Sequence, residues 1–487
     1  MNSTFAESLM EQCIERNPAI ARWMGTGEDT ALTLDEFTDI QLAKHRLNAT
    51  GRPLQDRTDL VEICRSYVFE RLGDRNMAKM AAETIETGML LTADHLGGLY
   101  SPQSFQGDLL FAQMLRKEKP DVGCVPILAF GTVPLGSSTY GRGIQVFSDT
   151  CGIKYLPVYS AKYTQSAASL VPPLDERVAL RALKTSEQAD LDENTGRTLR
   201  RLLEKIYLAP AHLNSSSFGD QAFYVGCHLY RGICGRLELP PILPLESEAV
   251  MIPLIIADLK NENSLLRILL DDRRLIQHMN DTRTEEGEPL SRLLFRMADH
   301  RGRIFPLNVE PDGSLIGQSM GGETMQLSGS RQELEEFFLS RKLLPGTYLD
   351  VLVSAFARGS VWYGGIFQSS YLPVWQERTK RVFIEEGYRD LAKQIGAVTL
   401  SGYISGPIFA LADTGDGAVN AGPVEFLTHR PDGRQLEAWM QTDIRSAHQM
   451  GMFEFYHDLM YASERKEGWY EVLAKYSKQK FSENILH

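Results

Sequence analysis

The sequence predicts an α+β fold, or an irregular α/β fold, from three features of its hydrophobic pattern. Apolar residues follow helical spacing in the first 92 residues and again near the end of the chain. Short apolar runs rich in β-branched residues lie between these regions. The two kinds of segment do not alternate regularly, as they would in a doubly wound parallel sheet. We therefore expect mainly helical N- and C-terminal regions around a mixed central sheet.

The chain length and the changes in pattern suggest how the protein is divided. A chain of 487 residues has room for two to three domains or one large two-lobed enzyme. The predicted regions are a helical region (1–92), a mixed α/β region with glycine-rich loops (93–240) and an α+β region with a β-hairpin and buried helices (241–487). The Pro-rich stretch "LELPPILPLESEAV" marks the best internal boundary.

The first two regions contain one helix with a methionine stripe and several strands. The stripe in "RNMAKMAAETIETGMLL" predicts a helix with one buried face. The residues after it, "TADHLGG", are interpreted as the helix end, with a glycine C-cap. The segments "CVPILAFGTVPLG", "GIQVFSD" and "IKYLPVY" predict strands. "GRTLRRLLEKIYL" predicts an amphipathic helix, and "YVGCHLYRG" is interpreted as a strand.

The third region predicts a hairpin between helices. "NSLLRILLDDRRLIQHM" indicates a single helix, and "RIFPLNVEPDGSLIGQ" a β-hairpin turning at Pro311-Asp312-Gly313. "SGSRQELEEFF" indicates a helix that begins with a capping box. "TYLDVLVSAFARG" is apolar nearly all round, which indicates a buried helix. Residues 443 to 478 are expected to be helical.

Charge and cysteine content limit the partners and the compartment. The 51 basic and 63 acidic residues give a net charge of −12, which disfavours nucleic-acid binding. The six cysteines are scattered, as is usual in a reducing compartment. No signal peptide or membrane-spanning segment is evident. We expect a soluble cytoplasmic protein with a small-molecule substrate and neither a nucleic-acid nor a membrane partner; the sequence leaves a homo-oligomer open.

The common nucleotide-binding and nucleophile motifs do not occur. The phosphate-cradling pattern G-x-x-x-x-G-K-[ST] is missing from the sequence. "GRGIQV" begins like a dinucleotide fingerprint, but Val146 occupies the position of the third glycine. The nucleophile elbow G-x-S-x-G has no match with the required spacing. The sequence therefore assigns no cofactor.

The glycine-rich segment "GTVPLGSSTYGRG" is the first candidate ligand site. Backbone amides around Gly141 and Gly143 are free of side-chain obstruction, and Arg142 offers a bidentate fork for a carboxylate or phosphate. Tyr140 and Ser138 would orient the substrate. The alternative is an ordinary surface loop with a solvated arginine.

His95 is the candidate general base, because the ordinary pKa of histidine lies near neutrality. The segment "SPQSFQGD" follows it closely and includes Gln106, a candidate substrate ligand. Gln368 is a second candidate, from the aromatic segment "SVWYGGIFQSSYLPVWQ", which suits the wall of a pocket. The alternatives are a helix-end histidine and an aromatic core segment.

Three classes of function are compatible with these features. The favoured hypothesis is an enzyme, a transferase or hydrolase acting on a small, anionic metabolite, with His95 as base and the Arg142 loop as anion site. The second is a non-catalytic binding or scaffold protein that uses the same loops. The third is a metal-dependent enzyme with ligands drawn from His95, His228, His448, Glu454 and His457. No metal site is assigned, since only one Glu-x-x-His pair occurs.

Overall fold

The fold is known from a computed structural model of the chain. The structure describes residues 2–24, 31–48, 53–97, 100–136, 143–148 and 152–486. The α+β fold class is confirmed, since many helices surround several small sheets.

The strands and helices have the following bounds. The strands are β1 (Met89–Leu91), β2 (Asp94–His95), β3 (Val125–Phe130), β4 (Ile144–Ser148), β5 (Gly152–Leu156), β6 (Ile242–Glu246), β7 (Phe295–Ala298), β8 (Ile304–Pro306), β9 (Asn308–Val309), β10 (Leu315–Gln318), β11 (Thr324–Leu327), β12 (Leu343–Pro345), β13 (Val361–Gly365), β14 (Gly402–Ser405), β15 (Leu411–Asp413), β16 (Ala418–Asn420) and β17 (Ile485–Leu486). The helices are α1 (Asn2–Arg16), α2 (Ala21–Met24), α3 (Leu34–Asn48), α4 (Thr58–Leu72), α5 (Arg75–Ile85), α6 (Pro102–Glu118), α7 (Glu176–Gln188), α8 (Glu193–Leu202), α9 (Pro210–Leu213), α10 (Phe218–Cys234), α11 (Ser247–Lys260), α12 (Leu265–Asp271), α13 (Arg273–Asp281), α14 (Arg331–Leu339), α15 (Thr347–Asp350), α16 (Ile366–Glu385), α17 (Arg389–Ala397), α18 (Pro423–His429), α19 (Gly433–Trp439), α20 (Ile444–Met450), α21 (Met452–Leu459) and α22 (Trp469–Lys480).

Parallel strands form the centre of the molecule. β13 lies between β1 and β14, and β3 lies between β2 and β6, with every pairing parallel. β1 and β2 are consecutive parts of the segment 89–95, so this segment joins the two sets of strands. The spatial order is thus β14, β13, β1 with β2, β3 and β6. In chain order this is 5-4-1-2-3, an order also found in doubly wound sheets, but here the strands form two separate three-stranded sheets within an α+β fold.

Both faces of these strands are buried, by different parts of the chain. Met89, Leu91 and Ile127 belong to one hydrophobic cluster, which includes the apolar residues of α6 and the C-terminal helices. Leu90 and Leu128, which are their neighbours in sequence, belong to a second cluster with α4, α5, α11 and most of α16. Because side chains alternate along a strand, neighbouring residues face opposite layers. The fully apolar sequence of β3 follows from this two-sided burial.

Smaller antiparallel units lie outside this centre. β4 pairs with β5, β7 lies between β8 and β12, and β10 lies between β9 and β11. β15 pairs antiparallel with β16 and parallel with β17, so the strand at the C-terminal end is part of a mixed sheet. α1 packs against α21 and α22 in the same layer.

Most predicted elements are confirmed, with three corrections. The hairpin at 311–313 joins β9 to β10, and the buried helix is α15 followed by the π-helical turn Val351–Phe356. The segment predicted as one helix at 263–279 is two, α12 and α13, because Asp272 caps the second through the N–H of Arg274. "YVGCHLYRG" is part of α10 and not a strand. Residues 89–95 are strands and not a helix end.

Strands from all three predicted regions pair with one another. β1 lies in the region 1–92, β3 in 93–240, and β6 and β13 in 241–487, and hydrogen bonds join them. The division into three regions remains a prediction. Within the described part of the chain, no helix combines the length and the apolar character needed to cross a bilayer.

Candidate functional site

The connections that follow β2 and β13 leave the parallel strands on different faces. After β2 the chain passes to α6 on one face of the parallel strands, and after β13 it passes to α16, whose main apolar side faces the other layer. Ligands of open α/β sheets bind where neighbouring strands send their connections to opposite faces. The residues after β2 and β13 are therefore where a site is expected.

Asp94 is a buried carboxyl group at this edge. Its side chain has no exposed surface, and burial raises its pKa to about 7, with the backbone N–H of His95 offsetting part of the rise. No side chain in the described part of the chain donates a hydrogen bond to either carboxyl oxygen. A carboxyl group with this pKa takes up and releases a proton near neutral pH, as a general acid or base must.

Asp108 and Tyr230 lie beside Asp94. The Tyr230 hydroxyl on α10 donates a hydrogen bond to Asp108 Oδ2 on α6. Burial raises the pKa of Asp108 well above its ordinary value, and the nearby charge of Asp94 raises it further. Two buried carboxyl groups that repel in this way do not both ionise readily. The pair therefore retains a proton at neutral pH.

His95 is the last residue of β2 and is neutral at physiological pH. Burial lowers its pKa to about 4, so its imidazole carries one N–H and one acceptor nitrogen at pH 7. β2 pairs with β3, through Asp94 with Ala129 and His95 with Phe130. Along a strand the two neighbours face opposite sides, so Asp94 does not orient His95. A histidine with so low a pKa is a weaker base than a carboxyl group with a pKa near 7.

A small cavity brings the segment after His95 to one end of the glycine-rich loop. It measures about 20 Å³, and its lining includes Gly97, Tyr100 and Gly143. This volume is enough for about one water molecule. Ser138, Tyr140, Gly141 and Arg142 lie outside the described residues, and Gly143 is the residue directly after them.

The backbone at position 143 requires glycine. Its φ is +109°, and a Cβ atom would lie 1.9 Å from the carbonyl oxygen of Leu156. Leu156 pairs with Ile144 in the β4–β5 hairpin, so glycine lets this hairpin close. The other walls of the cavity combine aromatic and aliphatic side chains, and the hydroxyls of Tyr100 and Tyr207 lie 3.0 Å apart.

The two predicted glutamine ligands form hydrogen bonds within the protein. Gln106 is fully buried; its Nε2 donates to the carbonyls of Ala410 and Ala421, and its Oε1 accepts from the N–H groups of Phe409 and Ala410. All four hydrogen-bonding positions of this amide are thereby occupied. Gln106 is thus well explained as an anchor between α6 and the β15–β16 hairpin.

Gln368 joins the start of α16 to the residues just before β2. Its Oε1 accepts a hydrogen bond of 3.0 Å from Thr92 Oγ1, and its Nε2 donates one of 2.9 Å to the Thr92 carbonyl oxygen. Thr92 lies two residues before Asp94. The structure therefore brings the 360–376 segment next to the Asp94–His95 segment, which sequence separation alone did not indicate.

A second buried acidic group at the carboxyl edge was not among the predicted sites. Glu248 Oε1 and Oε2 accept from the N–H of Gly131, directly after β3, at 2.8 and 2.9 Å, and Glu246 pairs with Arg341. Burial raises the pKa of Glu248 to about 7. The signal in the sequence is the pair of glutamates in "LPLESE", directly at the end of an apolar run.

The histidines proposed as metal ligands do not form a cluster. Among the residues that the structure describes, no group of three or more His, Cys, Asp or Glu side chains is arranged to hold a metal ion. His448 Nε2 is 2.8 Å from the Tyr403 hydroxyl and its Nδ1 is 2.6 Å from the Ile444 carbonyl oxygen. His228 is exposed on α10, and His457 pairs with Asp458.

Comparison with known proteins does not identify a relative. No protein-family model matches the sequence, and no curated protein is significantly similar to it. The function must therefore be inferred from the site.

Proposed function

We propose that the chain is an enzyme that carries out acid–base chemistry on a small, anionic metabolite, as a transferase or hydrolase. The observation that supports the proposal is Asp94, a carboxyl group with a pKa of about 7 at the carboxyl end of β2. Strongly shifted carboxyl groups in such positions are typical of catalytic sites, where burial tunes the pKa to the reaction.

In this proposal Asp94 transfers the proton and Asp108 with Tyr230 supports it. Asp94 accepts a proton from the attacking hydroxyl group or water and returns it to the leaving group. The hydrogen bond from Tyr230 holds Asp108 in place, and burial raises the pKa of Asp94 so that it takes up and releases a proton near neutral pH. His95 takes part as a neutral hydrogen-bonding group instead of the main base, because its pKa is about 4.

The anion site remains as the sequence suggests. Arg142, with the backbone amides of Gly141 and Gly143, would bind the negative group of the substrate, while Ser138 and Tyr140 would orient it. Gly143 lies on the same small cavity as Gly97, two residues after His95. Asp94 has no exposed surface in this conformation, so the reaction requires the substrate, or a water in that cavity, to reach it.

A cytoplasmic location is part of the same proposal, together with a small molecule as substrate and the possibility of a homo-oligomer. Nucleic acid is a poor partner because of the net charge of −12.

The proposal can be tested without knowing the substrate in advance. Purified protein is incubated with a mixture of small phosphorylated and carboxylated metabolites, and mass spectrometry records which are consumed. We expect the wild-type chain to convert at least one compound, and Asp94→Asn to reduce its conversion by about 100-fold or more.

Matched variants distinguish the roles. Arg142→Ala should raise the substrate concentration needed for half-maximal rate, and His95→Gln should lower the rate less than Asp94→Asn does. Thermal unfolding checks that each variant is folded. No conversion by the wild-type protein, or equal conversion by Asp94→Asn, would contradict the proposal; binding of a metabolite without conversion would favour the non-catalytic alternative.

A further inference from the structure

A second and much larger cavity lies outside the Asp94 site. It is an open cleft of about 640 Å³ between the end of α4, the start of α5 and one face of α10. This volume falls in the range of small-molecule sites. The cleft unites residues of "NSSSFGD" and "YVGCHLYRG"; of these two segments the proposed function uses only Tyr230, which does not line the cleft.

The floor of the cleft is apolar, and one wall is formed by the rings of a tyrosine and a histidine. Phe223 and Cys227 of α10 form the floor and are both buried. Tyr224 and His228 lie one helical turn apart on the same helix, and their ring centroids are separated by 4.2 Å. An apolar or aromatic body would find contact with both surfaces.

Two of the charged residues in the cleft, Arg71 and Asp220, neutralise each other. Arg71 pairs with Asp220 at 2.8 Å and lies 3.6 Å from the centre of the Tyr67 ring. Asp220 also accepts a hydrogen bond from Ser216. Asp74 caps α5 by accepting from two backbone N–H groups. The Arg71–Asp220 pair therefore has little net attraction for a charged ligand, whereas Asp74 keeps its negative charge.

Arg231 differs from the other cations of the cleft. It is exposed in the last turn of α10, and no described residue forms an ion pair or hydrogen bond with its guanidinium. It lies one turn beyond His228 on the same face. Glu70, on the α4 side of the cleft, is the corresponding acid without an ion pair among the described residues.

We infer that this cleft binds a small organic anion, whose carboxylate or phosphate group pairs with Arg231 and whose apolar body lies on Phe223 and Cys227. Arg231 supplies the planar fork that matches either anion, and the His228 ring adds a second polar contact. The site does not include Asp94, so anion binding here can be tested independently of the proposed enzyme activity.

Three probes with the same ring test the inference: phenyl phosphate, phenylacetate and the uncharged 2-phenylethanol. Ligand-observed NMR titrations of the full-length protein at low ionic strength measure their dissociation constants. We expect at least one anion to bind, the neutral probe to bind at least about tenfold more weakly, and Arg231→Met to weaken anion binding about tenfold or more. The tighter of the two anions identifies the class of natural ligand.

Glu70→Gln is the matched control. It changes the charge of the cleft by one unit in the opposite direction and on the other wall, so it should leave anion binding unchanged or make it slightly tighter. Arg231 is exposed, so thermal unfolding should show that Arg231→Met remains folded. Failure of both anions to bind, equal binding of 2-phenylethanol, or unchanged affinity in Arg231→Met would each overturn the inference.

Discussion

Asp94 should make the protein less stable as the pH rises. Burial raises its pKa from the ordinary 3.8 to about 7, so the folded chain holds this proton more tightly than the unfolded chain does. At 1.36 kcal/mol for each pKa unit, the difference corresponds to about 4 kcal/mol of unfolding free energy. This contribution is fully present below about pH 4 and is lost as the pH rises to about 7. Asparagine has no such proton, so Asp94→Asn should gain about 4 kcal/mol relative to the wild type over this range.

His95 should show the opposite dependence. Its pKa is lowered from 6.5 to about 4, so between these pH values the unfolded chain binds a proton at His95 and the folded chain does not. The free energy of unfolding is therefore at its full value above about pH 6.5, as far as His95 is concerned. It decreases by about 3 kcal/mol as the pH falls to about 4. His95→Gln should therefore gain stability relative to the wild type at low pH.

The assay is denaturant unfolding, followed by the fluorescence of the five tryptophans, at a series of pH values from 4 to 8. The difference between variant and wild type is used, because other buried groups such as Glu248 and His448 also titrate and cancel in it. Opposite slopes for the two variants support the described burial. A flat difference for Asp94→Asn, or one that falls with pH, would refute the reasoning and remove the main support for Asp94 as the acid–base group.

Three further variants test particular contacts by the same unfolding measurement. Arg358→Met should cost about 3–5 kcal/mol, because it leaves Asp258 buried without its ion-pair partner; a cost below about 1 kcal/mol would mean that the pair is solvated. Gln106→Met should cost about 3 kcal/mol or more by leaving backbone groups without partners. If it instead lowers substrate affinity without loss of stability, Gln106 is a ligand as first predicted. Gly143→Ala should destabilise the protein by more than about 1 kcal/mol, since its Cβ would clash with the Leu156 carbonyl oxygen, and an unchanged midpoint would show that the hairpin adjusts.

The sequence was informative where periodicity decides the structure. β3, the β9–β10 turn and the buried turn at 351–356 were predicted because apolar runs and turn residues act locally. The segment 89–95 was not, since "MLLTADH" follows a helix without a break in its apolar pattern. What makes it a strand is its pairing with Val361–Tyr363, which no local pattern shows.

The site was predictable in part for the same reason. His95 was singled out as a titratable residue before a glycine pair, and Gln368 as a polar residue among aromatics. Asp108 sits inside the amphipathic-looking run of α6, and only the tertiary contact with Tyr230 distinguishes it from a solvated helix residue. Burial sets the pKa of both Asp94 and His95, and burial of single polar residues is decided by the whole fold.

The order of the parallel strands also has a consequence for how the chain folds during synthesis. Asp94 and His95 pair with β3, which is synthesised soon after them, but Met89 pairs with Val361, about 270 residues later. At about 5–20 residues per second, a ribosome needs roughly 15 to 50 seconds to supply that partner. For this time an apolar strand edge is without its neighbour, the state in which chains associate wrongly. Slow translation between the two strands would lengthen the time for which this edge of β1 is unpaired.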